Sequence, residues 1–375
     1  GGAANVAVWD GVRWAPLGTG FRSASSGIPT VDALLARPNG DLVAAGCFEQ
    51  SDAGEPLHRI ARWDGTAWRA MGAGFSDRIT DLESIGEVRA LTSLPSGDIL
   101  ACGGFKWSGA VRMNGIARWD GAAWSPVGPG FDGLVLALAT MPDGDVVASG
   151  DFTRAGGQPA RALARWNGSA WSEVGGGVSG RPRALAVTPD GDLLVAGISQ
   201  GGSTPINRVG RWDGAAWSSL GALNLGGSTI YTMAVRSDAR VVIGGDLDMS
   251  GGVPRHAIGL YDGTAWTMDP AGDLLGDSPM VRTVCAMSDG SLITGGRFLT
   301  AGPDAASSVA QMTGTTWSGL GSGTWTDQQH FWCLVPDGEA SLLVGGNFMG
   351  HDRSFFDSLA AWDGADFAPL GTQGP

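Results

Sequence analysis

The feature that most constrains the fold is a tripeptide, Trp-Asp-Gly, that returns along the whole chain at intervals of 46 to 56 residues. Asn replaces Asp in the fourth copy, Tyr replaces Trp in the sixth, and the seventh reads Met-Thr-Gly. The copies begin at Trp9, Trp63, Trp119, Trp166, Trp212, Tyr261, Met312 and Trp362. A repeat of this length is typical of propeller blades and of solenoid arrays.

Each interval contains four short strands, which we name A to D, and residues 183–221 show them clearly. RALAVTPDG and DLLVAG read as an A–B hairpin across a Pro-Asp-Gly turn. RVGRWDG and AAWSSLG read as a C–D hairpin across Asp213-Gly214. No helical period appears, which argues against a solenoid. Because one such sheet cannot bury both faces, the sequence predicts an all-β propeller of four-stranded antiparallel blades.

The two kinds of hairpin do not occur equally often, which leaves the number of blades open. The A–B hairpin occurs seven times and the C–D hairpin eight times, since Asn5–Gly18 supplies an extra one. We favour seven blades with an additional N-terminal C–D hairpin; eight blades, with one A–B pair lost or supplied elsewhere, is the alternative. We expect a single domain over 1–375 with a half-blade at 1–24. The repeats are approximately 31–74, 87–130, 133–177, 181–222, 229–269, 280–323 and 330–372.

This layout resembles the Kelch group of propellers, in which strand B ends in Gly-Gly, strand C carries an aromatic residue and strand D a tryptophan. The B strands end here in GGF at 103–105, GGD at 244–246, GGR at 295–297 and GGN at 345–347. Secreted bacterial propellers with WDG-type repeats look closer still. The resemblance implies a fold and an extracellular or periplasmic location, but no activity.

The paired tryptophans of strands C and D could stack on sugars or act as wedges between blades. They recur as one pair per repeat, which favours the wedge because each blade must pack on its neighbour. We therefore predict a structural repeat core at these positions: Trp63, Trp68, Trp119, Trp124, Trp166, Trp171, Trp212 and Trp217.

The charge balance excludes some classes of partner. The formal net charge is −13, and Lys106 is the single lysine among 24 basic residues. Nucleic acids and anionic membranes require a basic face, so neither is expected. No apolar run approaches the roughly 18 residues that span a bilayer. The chain begins at Gly1 in the middle of a blade, from which we expect truncation or processing.

No pattern of catalytic, cofactor or metal-binding residues appears. The four histidines and four cysteines lack metal-ligand spacing, and nucleophile and phosphate-loop motifs are absent. The turn aspartates Asp143, Asp190, Asp289 and Asp337 precede Gly, as tight hairpins require. Cys285 and Cys333 both lie four residues before such an Asp, so we expect equivalent positions in neighbouring blades and free thiols.

Residues that break the repeat are the best candidates for a binding site. Because the B–C and D–A loops vary while the turns are uniform, we expect function on the face that carries those loops, near the central channel. Apolar and charged residues in these loops either bind a ligand or repair the closure seam. The candidates are Trp325, His330, Trp332, His351, Asp352, Arg353, Phe355, Phe356, Lys106, Trp107 and Arg112.

The leading functional hypothesis is a secreted, non-enzymatic propeller that binds a partner protein or larger assembly through this face. The alternatives are a lectin-like propeller that binds carbohydrate, and a hydrolase or lyase with an acidic site at the channel mouth. We also expect the N-terminal hairpin to expose strand edges, which would invite pairing with another chain.

Overall fold

The computed structural model describes most of the chain. The described residues are 6–9, 14–18, 20–23, 29–51, 53–77, 86–223, 225, 228–247, 256–268, 274–275, 279–302, 304–305, 308–314, 316–320, 330–336, 342–347, 360–362 and 367–369. They form strands and turns, and none of them lies in a helix long and apolar enough to cross a membrane.

Six four-stranded antiparallel sheets are each built from successive A, B, C and D strands, so the propeller blade is confirmed. We number them in chain order. Their strands are Thr30–Ala36, Leu42–Cys47, Ile60–Trp63 and Trp68–Ala70 (blade 1); Val88–Ser93, Ile99–Gly103, Ile116–Trp119 and Trp124–Pro126 (blade 2); Leu134–Thr140, Val146–Asp151, Leu163–Trp166 and Trp171–Glu173 (blade 3); Val178–Val187, Leu193–Gly201, Thr204–Trp212 and Trp217–Ser219 (blade 4); Thr229–Val235, Val241–Leu247, His256–Tyr261 and Trp266–Met268 (blade 5); and Met280–Ala286, Leu292–Arg297, Val309–Thr313 and Thr316–Gly319 (blade 6).

A further four-stranded sheet, the closing sheet, joins two distant parts of the chain. Its A and B strands are His330–Pro336 and Leu342–Asn347, and its C and D strands are Val6–Trp9 and Trp14–Pro16. The register places Val6 opposite Gly345. The prediction of an additional N-terminal hairpin with exposed strand edges was therefore wrong, because Val6–Trp9 pairs along the edge of Leu342–Asn347.

The hairpin predicted at the end of the last repeat, 330–372, does not join that repeat's A and B strands. It forms a separate two-stranded sheet, Ala360–Trp362 with Phe367–Pro369, and Ala360–Trp362 lies beside Trp14–Pro16. The chain thus has two C–D hairpins but one A–B pair at this place in the ring. The N-terminal hairpin is the one that pairs with it. No A–B pair from elsewhere is needed to complete the N-terminal hairpin.

The A strands of the blades and the closing sheet lie side by side around a central channel. Each contacts the A strands on both sides, and His330–Pro336 contacts those of blades 6 and 1, which closes the ring. The loop face carries the starts of the A strands together with the B–C and D–A loops. The turn face, at the opposite end of the channel, carries the A–B and C–D turns.

The paired aromatic residues of strands C and D pack between blades rather than on the surface. Ring centroids within each pair are 5.2–5.5 Å apart, and the D-strand tryptophans of blades 1 to 4 are at most 8% exposed. In blades 1 to 5 the D-strand indole N–H donates to a carbonyl of the preceding sheet, whereas the buried indole N–H of Trp317 in blade 6 has no acceptor among the described residues. The five bonds are Trp68 to Leu17, Trp124 to Met71, Trp171 to Val127, Trp217 to Gly175 and Trp266 to Leu220. These five tryptophans therefore link each of blades 1 to 5 to the sheet before it.

The aspartate of the repeated tripeptide closes its own turn. In blade 2 the Asp120 carboxylate accepts the backbone N–H groups of Ala122 and Ala123, each at 2.8 Å. Asn167 makes the same two bonds in blade 3, at 3.0 and 2.9 Å, which explains why Asn replaces Asp there. The two N–H donors lower the pKa of Asp120 because they stabilise its charged form.

Glycine near the end of strand B is required by a close approach of strand A. In blade 3 a Cβ on Gly150 would lie 2.1 Å from the carbonyl oxygen of Leu134, well inside van der Waals contact. The equivalent distances are 2.2 Å for Gly46, 2.0 Å for Gly103 and 2.0 Å for Gly296. The glycine that ends strand B is therefore a steric requirement of the A–B pairing.

The expected equivalence of Cys285 and Cys333 was wrong. Cys285 pairs with Ile293 in blade 6, whereas Cys333 pairs with Gly345 and so corresponds in register to Thr283. Five residues separate the A and B strands in both sheets, but the Asp-Gly of the last repeat comes two residues earlier in the sequence between them, so counting back from its Asp shifts the alignment. All four cysteines are free thiols.

Candidate functional site

Each A strand contains a β-bulge near its start, at the loop-face end of the channel. In blade 1, Val31 pairs with Gly46 and Ala33 with Ala45, so Asp32 has no partner in the ladder. A bulge re-aims its side chain away from the regular alternation. The corresponding residues of the other sheets are Arg89, Leu136, Arg183, Tyr231, Arg282 and Trp332.

These seven residues, the channel ring, line one cavity of about 260 Å³. All seven are partly buried, as expected of side chains that face an open channel. Three of them are arginines and one is an aspartate. The mouth of the channel is therefore locally cationic in a chain whose net charge is −13.

Two of the ring arginines have no carboxylate partner among the described residues. Arg89 donates to Glu87 at 2.8 Å, whereas Arg183 and Arg282 make no salt bridge with any described acidic residue. Burial lowers the pKa of Arg183 and of Arg282, and the neighbouring arginines lower it further.

Aromatic rings hold Arg282 in place. Its guanidinium carbon lies 4.1 Å from the ring centroid of Tyr231 and 4.7 Å from that of Trp332. Arg183 approaches Tyr231 at 5.9 Å. All three distances are within the roughly 6 Å of an effective cation–π contact. The guanidinium of Arg282 is thus oriented by stacking, which leaves hydrogen-bond donors unused.

Asp32 is the single acid of the ring, and burial raises its pKa to about 6. Nearby Glu87 also raises it, whereas Arg89, Arg282 and a hydrogen bond from Thr30 lower it; the thiols of Cys47 and Cys333 lie close by as well. An acid whose pKa is higher in the folded state than in the unfolded state destabilises the fold as it ionises. This destabilisation is absent below about pH 4 and complete above about pH 6.

Asp32→Asn is accordingly expected to raise the free energy of unfolding by on the order of 2 kcal/mol at pH 7.5 and to change it little at pH 4. Urea titrations at the two pH values measure the difference. Asp190→Asn, at an exposed position on the turn face, makes the same substitution away from the channel and is the control. An effect of Asp32→Asn that is equal at both pH values would contradict the raised pKa of Asp32.

A larger groove lies on the loop face between blades 2 and 3. It has a volume of about 800 Å³ and meets the channel ring at Arg89, which lines both. Its other charged lining residues are Glu87, Lys106, Arg112, Asp132 and Arg154.

Protein donors already satisfy the carboxylates of the groove, whereas most of its cations have no acidic partner among the described residues. Asp132 accepts the backbone N–H groups of Thr153 and Arg154 at 2.9 and 2.8 Å, and Glu87 is paired with Arg89. Lys106, Arg112 and Arg154 form no salt bridge with an acidic residue in the described part of the chain. The groove therefore presents a net positive lining.

The loop that carries Lys106 and Arg112 is held in a defined conformation. Trp107–Ser108 pairs with Val111–Arg112 as a short hairpin. Arg112 donates to Asn114 at 2.7 Å, and Asn114 in turn donates to the carbonyl of Pro129 at 2.8 Å. The guanidinium of Arg112 also lies 5.9 Å from the ring centroid of Trp107.

The candidates predicted from the sequence fall into separate places. Lys106 and Arg112 line the groove, Trp107 lies in its loop, and Trp332 belongs to the channel ring. His330 begins an A strand, and its side chain lies outside the described residues. Six further candidates also lie outside them: Trp325, His351, Asp352, Arg353, Phe355 and Phe356.

Sequence reasoning missed six members of the channel ring: Asp32, Arg89, Leu136, Arg183, Tyr231 and Arg282. A signal was present, because most A strands have an apolar residue and a small residue on either side of the ring position, as in Val31-Asp32-Ala33 and Val281-Arg282-Thr283. Aligning the repeats at that position would have revealed a variable, charged residue in an otherwise apolar strand.

No group of three or more His, Cys, Asp or Glu side chains in the described ranges lies close enough to hold a metal ion. Turn aspartates such as Asp289, which accepts the backbone N–H of Ser291 at 2.8 Å, serve their own hairpins. His58 contacts Glu49 at 3.1 Å.

Comparisons with known proteins support the propeller fold. A family described as a domain of unknown function (DUF5122) beta-propeller matches residues 142–168, from the A–B turn of blade 3 to its C–D turn. No curated protein sequence matches the chain.

Among solved structures, the chain is similar to virginiamycin B lyase from Staphylococcus aureus, in a catalytically inactive variant with quinupristin. The TM-score is 0.54 at 12% identity, over 86% of this chain and 98% of the lyase. A streptogramin B lyase gives 0.51 at 11% identity, over 87% and 96% of the two chains. The extracellular domain of BT3049 from B. thetaiotaomicron gives 0.50 at 9%, over 86% of this chain and 40% of that one. At these identities the likeness concerns the fold alone.

Proposed function

We propose that this propeller is a non-enzymatic binding module whose loop face takes an acidic segment of a partner protein. The observation that carries the proposal is the groove between blades 2 and 3, where Lys106, Arg112 and Arg154 have no acidic partner in the described residues. Charge complementarity of this kind selects partners and accelerates association.

The shape of the groove favours an extended polypeptide segment. Its volume of about 800 Å³ is in the upper range of ligand sites. In the Trp107–Arg112 hairpin, Val111 precedes the groove residue Arg112 and is 48% exposed. An exposed apolar side chain next to a cationic groove suits a peptide that carries both acidic and apolar residues.

The observations that favoured carbohydrate binding are explained by packing. The D-strand tryptophans are buried between blades, and the aspartates of the repeated tripeptide bond their own turns. Neither set is free to stack on or bind a sugar at every repeat. We therefore prefer a protein ligand to a carbohydrate.

A second candidate is a hydrolase or lyase with its site at the channel mouth. The observation in its favour is Asp32, whose pKa of about 6 suits a general acid or base at neutral pH. The lyases that share the fold host an activity on the same architecture. Turnover of a substrate that is abolished by Asp32→Asn would support this candidate over simple binding.

We further propose that the protein acts outside the cytoplasm, secreted or in the periplasm, and that its repeats are of the Kelch-like, WDG type. An extracellular domain among the similar structures supports the location. The steric requirement for glycine at the ends of the B strands supports the repeat type.

The binding test uses a fluorescently labelled hexaglutamate peptide, followed by anisotropy, with hexaserine and hexalysine as comparison peptides. We expect saturable binding of hexaglutamate alone, weakened by added salt. The double variant Lys106→Gln/Arg112→Gln is expected to lose at least tenfold in affinity, because it removes two charge-assisted contacts.

The matched control is Arg62→Gln/Arg211→Gln, which removes the same charge from C-strand residues near the turn face that pair with Asp41 and Asp192. It should bind hexaglutamate as the unmodified protein does. Equal binding of hexaserine, or an equal loss in both double variants, would contradict the proposal.

A further inference from the structure

The channel ring has properties that the groove does not share, and they indicate a second site. We propose that the channel mouth binds a small oxyanion, a carboxylate or a phosphate, between Arg183 and Arg282. This site is separate from the groove and does not depend on the proposed function.

The arrangement of Arg282 is that of a prepared anion receptor. Its guanidinium is stacked against Tyr231 and Trp332 at 4.1 and 4.7 Å, so its orientation is set before a ligand arrives. Its Nε–H is buried with no acceptor among the described residues. A buried donor without an acceptor is costly, and the described residues supply no acceptor that offsets this cost.

Arg183 lines the same cavity and approaches the same aromatic ring as Arg282. Both guanidiniums approach the same phenol ring, Arg183 at 5.9 Å and Arg282 at 4.1 Å. The planar fork of arginine matches the geometry of carboxylate and phosphate oxygens. Two unpaired forks around one ring therefore form a site for a ligand with several oxygens.

The charges and the volume of the cavity restrict the ligand. Three arginines face one aspartate, so a cation is repelled and an anion offsets the repulsion among Arg89, Arg183 and Arg282. The cavity of about 260 Å³ has room for roughly eight water molecules. Inorganic phosphate or a small organic acid fits this space, whereas a folded polymer does not.

Asp32 makes the site sensitive to pH. Its carboxylate competes with the ligand for Arg89 and Arg282, and it becomes neutral below about pH 6. Glu87, Arg89, Arg282 and the thiols of Cys47 and Cys333 are the other ionisable groups around it. Sulfate keeps its charge over this range, so a change in its affinity reports the protein alone.

The test is isothermal titration calorimetry with sodium sulfate, sodium phosphate and sodium citrate, at ionic strength held constant with sodium chloride. We expect saturable binding of at least one anion, and tighter sulfate binding at pH 5 than at pH 7.5. Preference for citrate identifies a carboxylate ligand, and preference for phosphate identifies a phosphate ligand.

Arg183→Gln and Arg282→Gln are each expected to weaken binding at least tenfold, while Arg211→Gln on the turn-face side changes it less than twofold. Arg282→Lys keeps the charge but loses the planar fork of the guanidinium. Its anion affinity should therefore fall between that of the unmodified protein and that of Arg282→Gln. Unchanged melting temperatures of Arg183→Gln and Arg282→Lys show that the loss is local. No saturable binding of any of the three anions, or full binding in the Arg183→Gln/Arg282→Gln variant, would overturn the proposal.

Discussion

Trp124→Ala is expected to lower the free energy of unfolding by about 4 kcal/mol, the cost of deleting a buried tryptophan. Trp124 is 7% exposed and packs on Trp119 at 5.3 Å and on Phe75, from the preceding repeat, at 4.6 Å. Its indole also donates to the carbonyl of Met71 at 2.9 Å. Truncation therefore opens a cavity between blades 1 and 2 and leaves a buried carbonyl without its donor.

Trp124→Phe separates the contribution of packing from that of the hydrogen bond, since it keeps an aromatic ring between the blades but removes the N–H donor. It should cost about 1 to 3 kcal/mol, less than the alanine variant. Urea titrations followed by circular dichroism measure both variants. A loss below about 1 kcal/mol for Trp124→Ala would mean that the pair is not an inter-blade wedge.

Gly150→Ala is expected to cost about 3 kcal/mol, although it adds only one methyl group. The new Cβ would lie 2.1 Å from the carbonyl oxygen of Leu134, a backbone atom that cannot move without disturbing the A–B ladder of blade 3. The N–H of Gly150 also donates to the carbonyl of Ala162 at 3.1 Å, which anchors the position from strand C.

The adjacent variant Ser149→Ala is the matched control. Ser149 lies one residue earlier in the same strand, and its hydroxyl donates to the carbonyl of Pro182 at 3.1 Å. Losing that bond should cost about 1 kcal/mol. If thermal melting ranks Ser149→Ala as the more damaging of the two, the steric account of the B-strand glycine is wrong.

The blade could be predicted from the sequence because its determinants are local. Turn residues such as Asp213-Gly214 and the alternation of strands lie within one repeat, and the regular return of Trp63 and Trp68 indicates packing between neighbours. The B-strand glycines were recognised by resemblance; their physical cause, contact with a carbonyl of strand A, became clear from the register.

Pairing between distant parts of the chain could not be predicted in the same way. Val6–Trp9 and Ala360–Trp362 both belong to C–D hairpins, and nothing in either strand shows which one pairs with Leu342–Asn347. The alignment of Cys333 failed for a different reason, because the Asp-Gly used as the reference lies two residues earlier between the A and B strands of the last repeat than in blade 6.

The channel ring was missed because a bulge leaves no periodic signal. Arg89 and Arg282 each interrupt an apolar strand, which a reading by alternation treats as a solvent-facing position. In contrast, Lys106 and Arg112 stood out because they lie in a loop that departs from the repeat. Irregular loops are visible in one repeat, whereas a ring assembled from single residues of seven sheets is visible only when the repeats are aligned at the bulge position.

The most direct test of the proposed binding function is hydrogen exchange of the protein with and without saturating hexaglutamate. We expect slower exchange of backbone amides in 103–115 and 129–134, which surround the groove, and unchanged exchange at the turn-face residues 142–145. Protection at 142–145, or no protection in the two groove segments, would contradict the assignment of ligand binding to the loop face.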